Sequence, residues 1–444
     1  MLEAVPEPDK GGWPPRRVAW WGLALLVLSY AIAIVDRICM GLLVQPIKAS
    51  FGFTDTQVGL LQGLGFALFF AAMGLPLGLL ADRTNRRTLI AAGMAVWSIA
   101  TMACGLATGF AGMLLGRVGV GAGEATLSPA GTSMIADYFP PEQRARAFAV
   151  YSLGGSMGTG IALLFSGAVL AFADALIHAL PGQLGGVPSW KIVFVLFGLP
   201  GLIMAPAFLL TVKEPPRREG WTVPPRVSLR PLARQLAARP LTYLALIGGS
   251  AASMVATYAL IGWFPTFMVR GFGWSPAMVA GTLGSVGLPC GVASSLAGGW
   301  IVSLVGRWGR RDAPVLVAVL ALACVAAGAL IVAVAPAPTI AMVGYVIMGL
   351  AMNIPFIGLL TALNAVTPNS LRGQTLAVLT LTTNLLSQTI GPFAVGLLSD
   401  HVFTTPRGVG AALGAVVILA CAASITLLLA GRRSIATDTA VLTA

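Results

Sequence analysis

Four ionisable side chains lie deep inside long apolar stretches of the sequence: Asp36, Arg37, Arg117 and Glu124. In a membrane span such a charge is costly and marks a functional pathway by default. Burial favours the neutral form of a carboxyl group and a nearby guanidinium favours the charged form, so such an acid can take and release a proton. A guanidinium freed from its acid can bind phosphate or carboxylate, which its planar fork fits. The four residues therefore indicate proton exchange and anion binding.

The elements that position these residues are predicted to be membrane-spanning helices. The chain has 444 residues, of which 57% are hydrophobic and 9% charged, and its mean hydropathy is +0.88. Soluble domains have about a quarter charged residues, and a span needs about 20 apolar residues. The predicted spans are 18–44, 57–81, 88–108, 110–136, 146–173, 190–212, 241–269, 277–305, 313–335, 338–366, 373–399 and 409–430.

The lengths of these runs exclude two other interpretations. A transmembrane β-barrel has strands of about ten alternating residues, and the runs here are continuous and longer. The first run is also too long for the apolar core of a cleaved signal peptide, so we expect it to stay in the mature protein. The predicted fold class is all-α integral membrane, with twelve transmembrane helices.

The basic residues are distributed as in an inner-membrane protein. The net charge is +12, but most Lys and Arg residues lie in the two terminal tails and the even-numbered loops, which predicts that both termini are cytoplasmic. The odd-numbered loops contain only Lys48, Lys191, Arg270 and Arg407. This pattern explains the charge without nucleic acid as a partner, and Arg-rich composition suits a bacterial inner membrane.

The two halves of the sequence repeat each other. PEQRARAFAV at 141–150 matches NSLRGQTLAV at 369–378, and GRVGVG at 116–121 matches GYVIMG at 344–349 at the same offset. A duplicated six-helix unit predicts a transporter with a central cavity between the halves. The predicted segments are a cytoplasmic tail 1–17, a six-helix bundle 18–212, a linker 213–239 with a short basic helix at 226–238, a six-helix bundle 240–431 and a cytoplasmic tail 432–444.

Motifs for other chemistries are missing from the sequence. It has no phosphate-binding loop, nucleophile motif or spacing of metal ligands, so we expect no metal, no cofactor beyond protons as the coupling ion, and no enzymatic activity. Asp36 with Glu124 is the only acidic pair that an embedded enzyme could use. A non-transporting receptor or scaffold is a remote alternative, since it would need neither the buried charges nor the duplication.

Two segments resemble the major facilitator superfamily. GLLADRTNRR at 78–87 is similar to its Gly-x3-Asp-Arg-x-x-Arg-Arg loop, and GRVGVGAGEATLSP at 116–129 is similar to its fourth helix. A finer resemblance is to the Spinster branch, through Tyr30 with Asp36-Arg37, Asn85, and the Gly-x-Gly-Glu-Ala pattern followed by Ser128. Tyr30 lies further from Asp36 than in the branch pattern. Spinster-like proteins are implied to export lysophospholipids or sphingoid phosphates.

The superfamily resemblance implies partners for the buried charges, because its first and fourth helices are adjacent and line the cavity. Asp36 and Arg37 point about 100° apart on a helix and cannot be each other's main partner. We predict that Asp36 pairs with Arg117 and carries the proton, with Glu124 as the second candidate, and that Arg37 pairs with Glu124 and binds the headgroup. The alternative is that both pairs are static contacts between two helices.

The resemblance also implies a conformational latch on the cytoplasmic side. Its predicted residues are Asp82, Arg83, Arg86, Arg87, Asp137, Arg144 and Arg372. Asp82 is expected near the N-terminus of the eleventh helix, where the helix dipole favours an anion, and the arginines after it are expected to reach Asp137. The alternative is that these arginines only fix the topology.

The predicted substrate is an anionic or zwitterionic amphiphile of the lysophospholipid or sphingoid-phosphate class. The candidate substrate-binding residues are Arg37, Tyr30, Ser128, Trp263, Asn353 and Thr361. The second half has few polar residues in its spans, which suits a lipid tail better than a sugar. Symport or antiport of small organic anions or drugs is the alternative. We expect membrane lipids as the remaining partners and a monomeric protein.

Overall fold

The chain folds into a series of long helices. The computed structural model describes residues 12–217, 230–308, 310 and 312–443, and these contain no β-strand. We label the long helices α1 (Arg16–Phe51), α2 (Asp55–Gln62 and Leu64–Arg83), α3 (Arg86–Leu106), α4 (Phe110–Glu124 and Leu127–Tyr138), α5 (Pro141–Ala179), α6 (Ser189–Thr211), α7 (Pro240–Tyr243, Leu244–Gly248 and Gly249–Phe272), α8 (Pro276–Gly306), α9 (Ala313–Ala333), α10 (Pro338–Ala351 and Ile354–Val366), α11 (Arg372–His401) and α12 (Gly408–Thr443).

These helices correspond to the twelve predicted spans. Within the described residues, nine of them are long and apolar enough to cross a membrane: all except α4, α5 and α11. α4 is divided into two short pieces, and α11 has a run of Thr, Asn, Ser and Gln between residues 380 and 389. In α5 the described apolar part is Leu164–Ala179.

Two helices break at equivalent places in the two sequence repeats. α4 is interrupted at Ala125 and Thr126, and α10 at Met352 and Asn353. A proline follows each break within four residues, Pro129 in α4 and Pro355 in α10. Proline has no N–H to donate and its ring collides with the carbonyl four residues earlier, so the helix opens just before it.

A second equivalence supports the internal repeat. At the start of α5 the Arg144 Nε donates to the Phe139 carbonyl at 3.1 Å. At the start of α11 the Arg372 Nε donates to the Thr367 carbonyl at 3.3 Å. Both donors and both acceptors are separated by the offset of the sequence repeat. Each arginine therefore closes the turn that leads into its own helix.

The described residues pack as two units. Unit 1 comprises residues 1–39 and 68–224, and unit 2 comprises 40–67 and 225–444. The predicted bundles are continuous in sequence, one before the linker and one after it. In the structure, however, segment 40–67 packs with residues 225–444 in unit 2. This segment contains the end of α1 and the first piece of α2.

The linker contains the predicted short helix, at Arg230–Ala238. Residues 218–229, which include the predicted start of that helix at 226, lie outside the described residues, as do residues 1–11 of the predicted N-terminal tail. At the other end, α12 continues through most of the segment predicted as a C-terminal tail and ends at Thr443.

Candidate functional site

The Arg37 side chain binds Glu124 in unit 1. Its Nε donates to Glu124 Oε2 at 2.6 Å, and the Glu124 side chain is fully buried while that of Arg37 is 15% exposed. The guanidinium carbon lies 4.8 Å from the centre of the Phe70 ring, within the range of a cation–π interaction. The ion pair between α1 and α4 that the sequence predicts is therefore present, and its cation has one partly accessible side.

The Asp36 carboxylate has a different environment. Asp36 is 1% exposed, and its Oδ2 accepts a hydrogen bond from Thr101 Oγ1 of α3 at 3.4 Å. Asp36 Oδ1 and Glu124 Oε1 are buried and accept no hydrogen bond from any described residue. The described hydrogen bond to Asp36 thus comes from a neutral hydroxyl, whereas the one to Glu124 comes from a guanidinium.

Arg117 is buried in the same region and influences both acids. It is 2% exposed, and its charge acts on Asp36, on Glu124 and on the thiol of Cys104. The direct ion pair between Asp36 and Arg117 stays a prediction. Two arginines and two carboxylates thus lie in one region of unit 1, and their formal charges balance.

The glycines of α4 allow it to pack closely against α3. A Cβ added at Gly116 would collide with Cys104 of α3, and one at Gly123 would lie 2.6 Å from the Trp97 amide nitrogen. Small residues allow membrane helices to approach closely. The glycine-rich pattern has a packing role that the sequence interpretation did not assign.

Ser128 does not continue the buried face of α4. Arg117 and Glu124 are buried, whereas Ser128 lies beyond the break and is exposed. The break before Pro129 therefore separates Ser128 from the buried part of α4, and its part in substrate binding stays a prediction. Tyr30 stacks on Tyr151 of α5, with ring centres 5.2 Å apart, so its ring has a packing partner in this conformation.

The candidates in unit 2 are occupied by contacts within the unit. Trp263 is fully buried and donates from Nε1 to the Pro392 carbonyl at 2.9 Å. Thr361 is exposed and its hydroxyl donates to the carbonyl of Ile357 one turn earlier, at 2.8 Å. Their part in substrate binding stays a prediction.

Asn353 connects the break of α10 to α8. Its Nδ2 donates to the Gly291 carbonyl at 3.2 Å and lies 3.2 Å from Ser295 Oγ, while its backbone N–H donates to Ser294 Oγ at 3.1 Å. The side chain therefore joins α10 to α8. Its part in substrate binding stays a prediction.

Arg86 is the centre of the predicted latch cluster. The residue is fully buried. Its guanidinium pairs with Asp137, donates from Nε to Glu214 Oε1 at 2.7 Å, and donates from Nη2 to the Pro215 carbonyl at 2.9 Å. Arg87 donates its backbone N–H to Glu214 Oε2 at 2.9 Å. The sequence predicted the contact with Asp137 but missed Glu214, which lies just after α6.

The remaining latch candidates have smaller roles within their units. Asp82 and Arg83 are exposed. Arg144 and Arg372 bind backbone carbonyls at the starts of α5 and α11, as described above. Their part in a latch stays a prediction.

A third charged cluster, around Asp55, was not recognised in the sequence. Asp55 begins α2 and is 2% exposed. Its carboxylate accepts two hydrogen bonds from Arg270 of α7, at 2.6 and 2.8 Å, one from Ser399 of α11 at 2.7 Å, and one from Lys48 of α1. We call this cluster the Asp55 clamp.

Asp400 completes the clamp from the end of α11. It accepts the backbone N–H groups of Asp55 at 3.0 Å and Thr56 at 2.7 Å, and the Thr56 hydroxyl at 2.6 Å. A carboxylate at a helix N-terminus satisfies free N–H groups and is favoured by the helix dipole. The sequence did contain a signal for the clamp, since Lys48 and Arg270 are two of the few basic residues in the odd-numbered loops.

Glycines below the clamp hold α2 against α11. A Cβ at Gly59 would lie 2.6 Å from the Pro392 carbonyl, and Cβ atoms at Gly63 and Gly396 would collide with the carbonyls of Gln388 and Asp55. The contacts recur every four residues along both helices. Backbone therefore packs on backbone over the whole first piece of α2.

These features are those of one known family. The model of the Major Facilitator Superfamily matches residues 26–392, so the chain belongs to this superfamily. Its members are membrane transporters, which confirms the predicted family and fold class and the prediction that the chain is not an enzyme. The protein is a multi-pass membrane transporter.

Three comparisons refine this assignment. A crystal structure of a bacterial homologue of the human lysosomal transporter Spinster, in an inward-facing and unoccupied conformation, has a TM-score of 0.77 and is 29% identical, covering 97% of this chain and 95% of that one. An MFS-type efflux pump of Mycolicibacterium smegmatis is 28% identical over 92% of this chain and 90% of its own. A hexuronate transporter of Bacillus subtilis is 27% identical over 61% of this chain and 62% of its own.

Proposed function

We propose that the protein is a proton-coupled secondary transporter that moves an anionic or zwitterionic amphiphile by alternating access. The ion pair of Arg37 with Glu124, beside the separately held acid Asp36, is the observation that carries this proposal. The similarity to a Spinster homologue and to an efflux pump supports it. No metal and no organic cofactor enter the proposed mechanism, since protons supply the driving force.

Asp36 is the proposed proton carrier. Its Oδ2 accepts a hydrogen bond from the neutral Thr101, and a protonated carboxyl group can keep this bond. Protonation removes one negative charge from a group of two arginines and two carboxylates, which leaves the arginines in excess. An excess cation in a buried site attracts an anion.

Arg37 is the proposed ligand of the headgroup. Its guanidinium is the partly exposed member of the ion pair, and Phe70 covers one face of it. Arginine binds phosphate and carboxylate through a planar pair of donors, which lysine does not offer. An incoming phosphate would compete with Glu124 for this fork, and Glu124 would then accept the next proton.

Four polar side chains of α10 and α11 already have hydrogen-bond partners within unit 2, and we take this to favour an apolar tail over a sugar. Thr361 and Thr383 donate to carbonyls of their own helices, Gln388 binds Asn384, and Asn353 binds α8. A sugar would need several free donors and acceptors, because each hydroxyl buried without a partner costs about 1–3 kcal/mol. A lipid tail needs none.

Alternating access requires reversible contacts at both ends of the helices. From the distribution of basic residues we infer that both termini, the linker and the Arg86 cluster lie in the cytoplasm and that the Asp55 clamp lies on the outer side. We propose that the clamp holds the outer side shut and releases segment 40–67 when that side opens. The Arg86 cluster would act in the opposite phase, as a cytoplasmic latch.

Transport by proteoliposomes under an imposed pH gradient tests the proposal. We expect uptake or release of a lysophospholipid in the wild type, and loss of the pH-driven component in Asp36→Asn with normal yield and thermal stability. Arg37→Lys is the matched variant, since it keeps the charge and loses the fork; we expect weaker lysophospholipid binding with the pH response retained. If Asp36→Asn only lowers folding yield, Asp36 is a static packing contact.

Transport of small organic anions is the second candidate function. The similarity to a hexuronate transporter favours it, and Arg37 could bind a sugar carboxylate. The same proteoliposomes supplied with glucuronate distinguish the two. Transport of glucuronate without the lysophospholipid would refute the amphiphile proposal and support this one.

A further inference from the structure

The starts of α3 and α9 bear ion pairs of opposite polarity. In unit 1 the cation Arg86 begins α3 and binds the acid Glu214, which follows α6. In unit 2 the acid Asp312 directly precedes α9 and accepts a hydrogen bond from Arg432 of α12, with Nε 2.6 Å from Oδ2. Both pairs join equivalent helices of the repeat, but the charges are exchanged.

Because of this exchange, the cluster at the start of α3 and the cluster at the start of α9 have different net charges. In unit 1, Arg86 and Arg87 face two acids, Asp137 and Glu214, and Arg86 is fully buried by them and by backbone carbonyls. The positive and negative charges of that cluster are equal. It therefore needs no further ligand.

The cluster in unit 2 has more cations than anions. Arg310 binds Asp312 with two hydrogen bonds of 3.2 Å, and Arg432 binds the same carboxylate. These arginines hold the pKa of Asp312 below its usual value, chiefly through the hydrogen bonds from Arg310. Arg433 adds a third guanidinium beside this one acid and is exposed. The carboxylate stays charged at neutral pH, and two positive charges remain.

A cavity opens where this excess charge lies. Its volume is about 660 Å³, and it is lined by Asp312, Leu429, Ala430, Arg432, Arg433 and Ala436. α9 begins at Ala313 and is strongly apolar, and Leu429 and Ala430 belong to the apolar part of α12. The cavity therefore lies at the ends of two apolar helices and is lined by both charged and apolar side chains.

We propose that this cavity between α9 and α12 binds a phosphate group, through Arg433 and the unused N–H groups of Arg432. Basic pockets at the ends of spanning helices bind anionic headgroups, and an anionic phospholipid would supply both the phosphate and chains for the apolar wall. A soluble phosphate is the other source of the same chemistry. The cavity is separate from the proposed transport site at Arg37, so the ligand here would be a resident lipid and not the cargo.

Native mass spectrometry of the full-length protein in detergent tests the proposal. The added probes are phosphatidylglycerol, phosphatidylcholine and inorganic phosphate. We expect preferential retention of phosphatidylglycerol, weakened about fivefold in Arg433→Gln, since one arginine near a headgroup contributes about that factor. Arg433→Lys should retain most of the binding, and Arg16→Gln, which removes an exposed arginine at the start of α1, should change nothing.

The alternative outcomes separate the two sources. Phosphate adducts that disappear in Arg433→Gln, with equal retention of both lipids, would support the site with a soluble ligand. Equal retention of every probe by the wild type and by Arg433→Gln would overturn the proposal. Arg433 is exposed and the ion pairs of Asp312 do not involve it, so the variant is expected to fold; an unchanged melting temperature checks this.

Discussion

Replacing Asp55 by Asn should open the outer side of the transporter. The substitution keeps the size of the side chain but removes the charge that accepts hydrogen bonds from Arg270, Lys48 and Ser399. Breaking a buried ion pair by removing one partner costs about 3–5 kcal/mol. The Arg270 and Lys48 side chains are 19% and 22% exposed, so water recovers part of the loss and we expect about 2 kcal/mol.

This free energy sets the size of the conformational shift. If the clamp forms only in the conformation that is closed outside, about 2 kcal/mol moves the equilibrium towards the open one by about 30-fold. Gln388, which lies against Gly63 and is 3% exposed, is a suitable reporter. In a background without the five native cysteines, an impermeant maleimide is applied from outside to the Gln388→Cys variant. We expect Asp55→Asn to raise the labelling rate of this cysteine by up to about 30-fold.

The same labelling assay includes a control variant, Asp174→Asn. Asp174 is an exposed acid outside the clamp, and Asp174→Asn should leave the labelling rate unchanged. A labelling rate in Asp55→Asn equal to that of the parent, with the protein folded and monodisperse, would show that the clamp does not control opening. An equal increase in both variants would assign the effect to general loosening.

Three further predictions concern stability. Gly59→Ala should lower the melting temperature, because the added Cβ would lie 2.6 Å from a backbone carbonyl and overpacking costs about 1–3 kcal/mol. Gly74→Ala is the control in the same helix: its Cβ would meet no atom within 4 Å, so this change should be neutral or stabilising. Arg86→Gln should cost about 3–5 kcal/mol in thermal unfolding, whereas the exposed Arg83→Gln should change little, and equal losses would contradict the central role of Arg86. In the folded protein the pKa of Asp312 lies below its usual value of 3.8. The charged carboxylate therefore stabilises the fold fully above pH 3.8, and this contribution is lost as the pH falls through the pKa of the folded state. The difference in melting temperature between the wild type and Asp312→Asn should be constant from neutral pH to about pH 5 and should shrink below pH 4.

The buried charges could be predicted from the sequence because membrane physics makes them exceptional. A charge inside an apolar span is rare enough to identify a site by itself, which is how Asp36, Arg37, Arg117 and Glu124 were recognised. The pairing of Arg37 with Glu124 was implied by the superfamily resemblance, in which the first and fourth helices are adjacent; the angle between neighbouring residues on a helix only excluded Asp36 as the partner of Arg37. The same reasoning could not find Thr101, because a threonine in a membrane helix is common and only packing decides what its hydroxyl meets.

Charges at the ends of the helices were less predictable. Lys48 and Arg270 were unusual as basic residues of odd-numbered loops, but neither their positions nor that of Glu214 indicates a partner. Asp55 and Asp400 are distant in sequence and meet because glycines let α2 and α11 approach at backbone distance. The break in α4 had a signal in Pro129, but its effect on Ser128 required the actual path of the chain.

The sequence by itself determined the helical membrane fold, the duplication, the family and the four buried charges, because hydropathy, residue offsets and the cost of buried charge are properties of the chain order. Tertiary structure decided which groups touch: Thr101 with Asp36, Glu214 with Arg86, and the Asp55 clamp with its glycine contacts. These are contacts between residues far apart in the chain, and their distances depend on how closely the helix backbones approach. That approach is set by packing, which no local pattern of residues encodes.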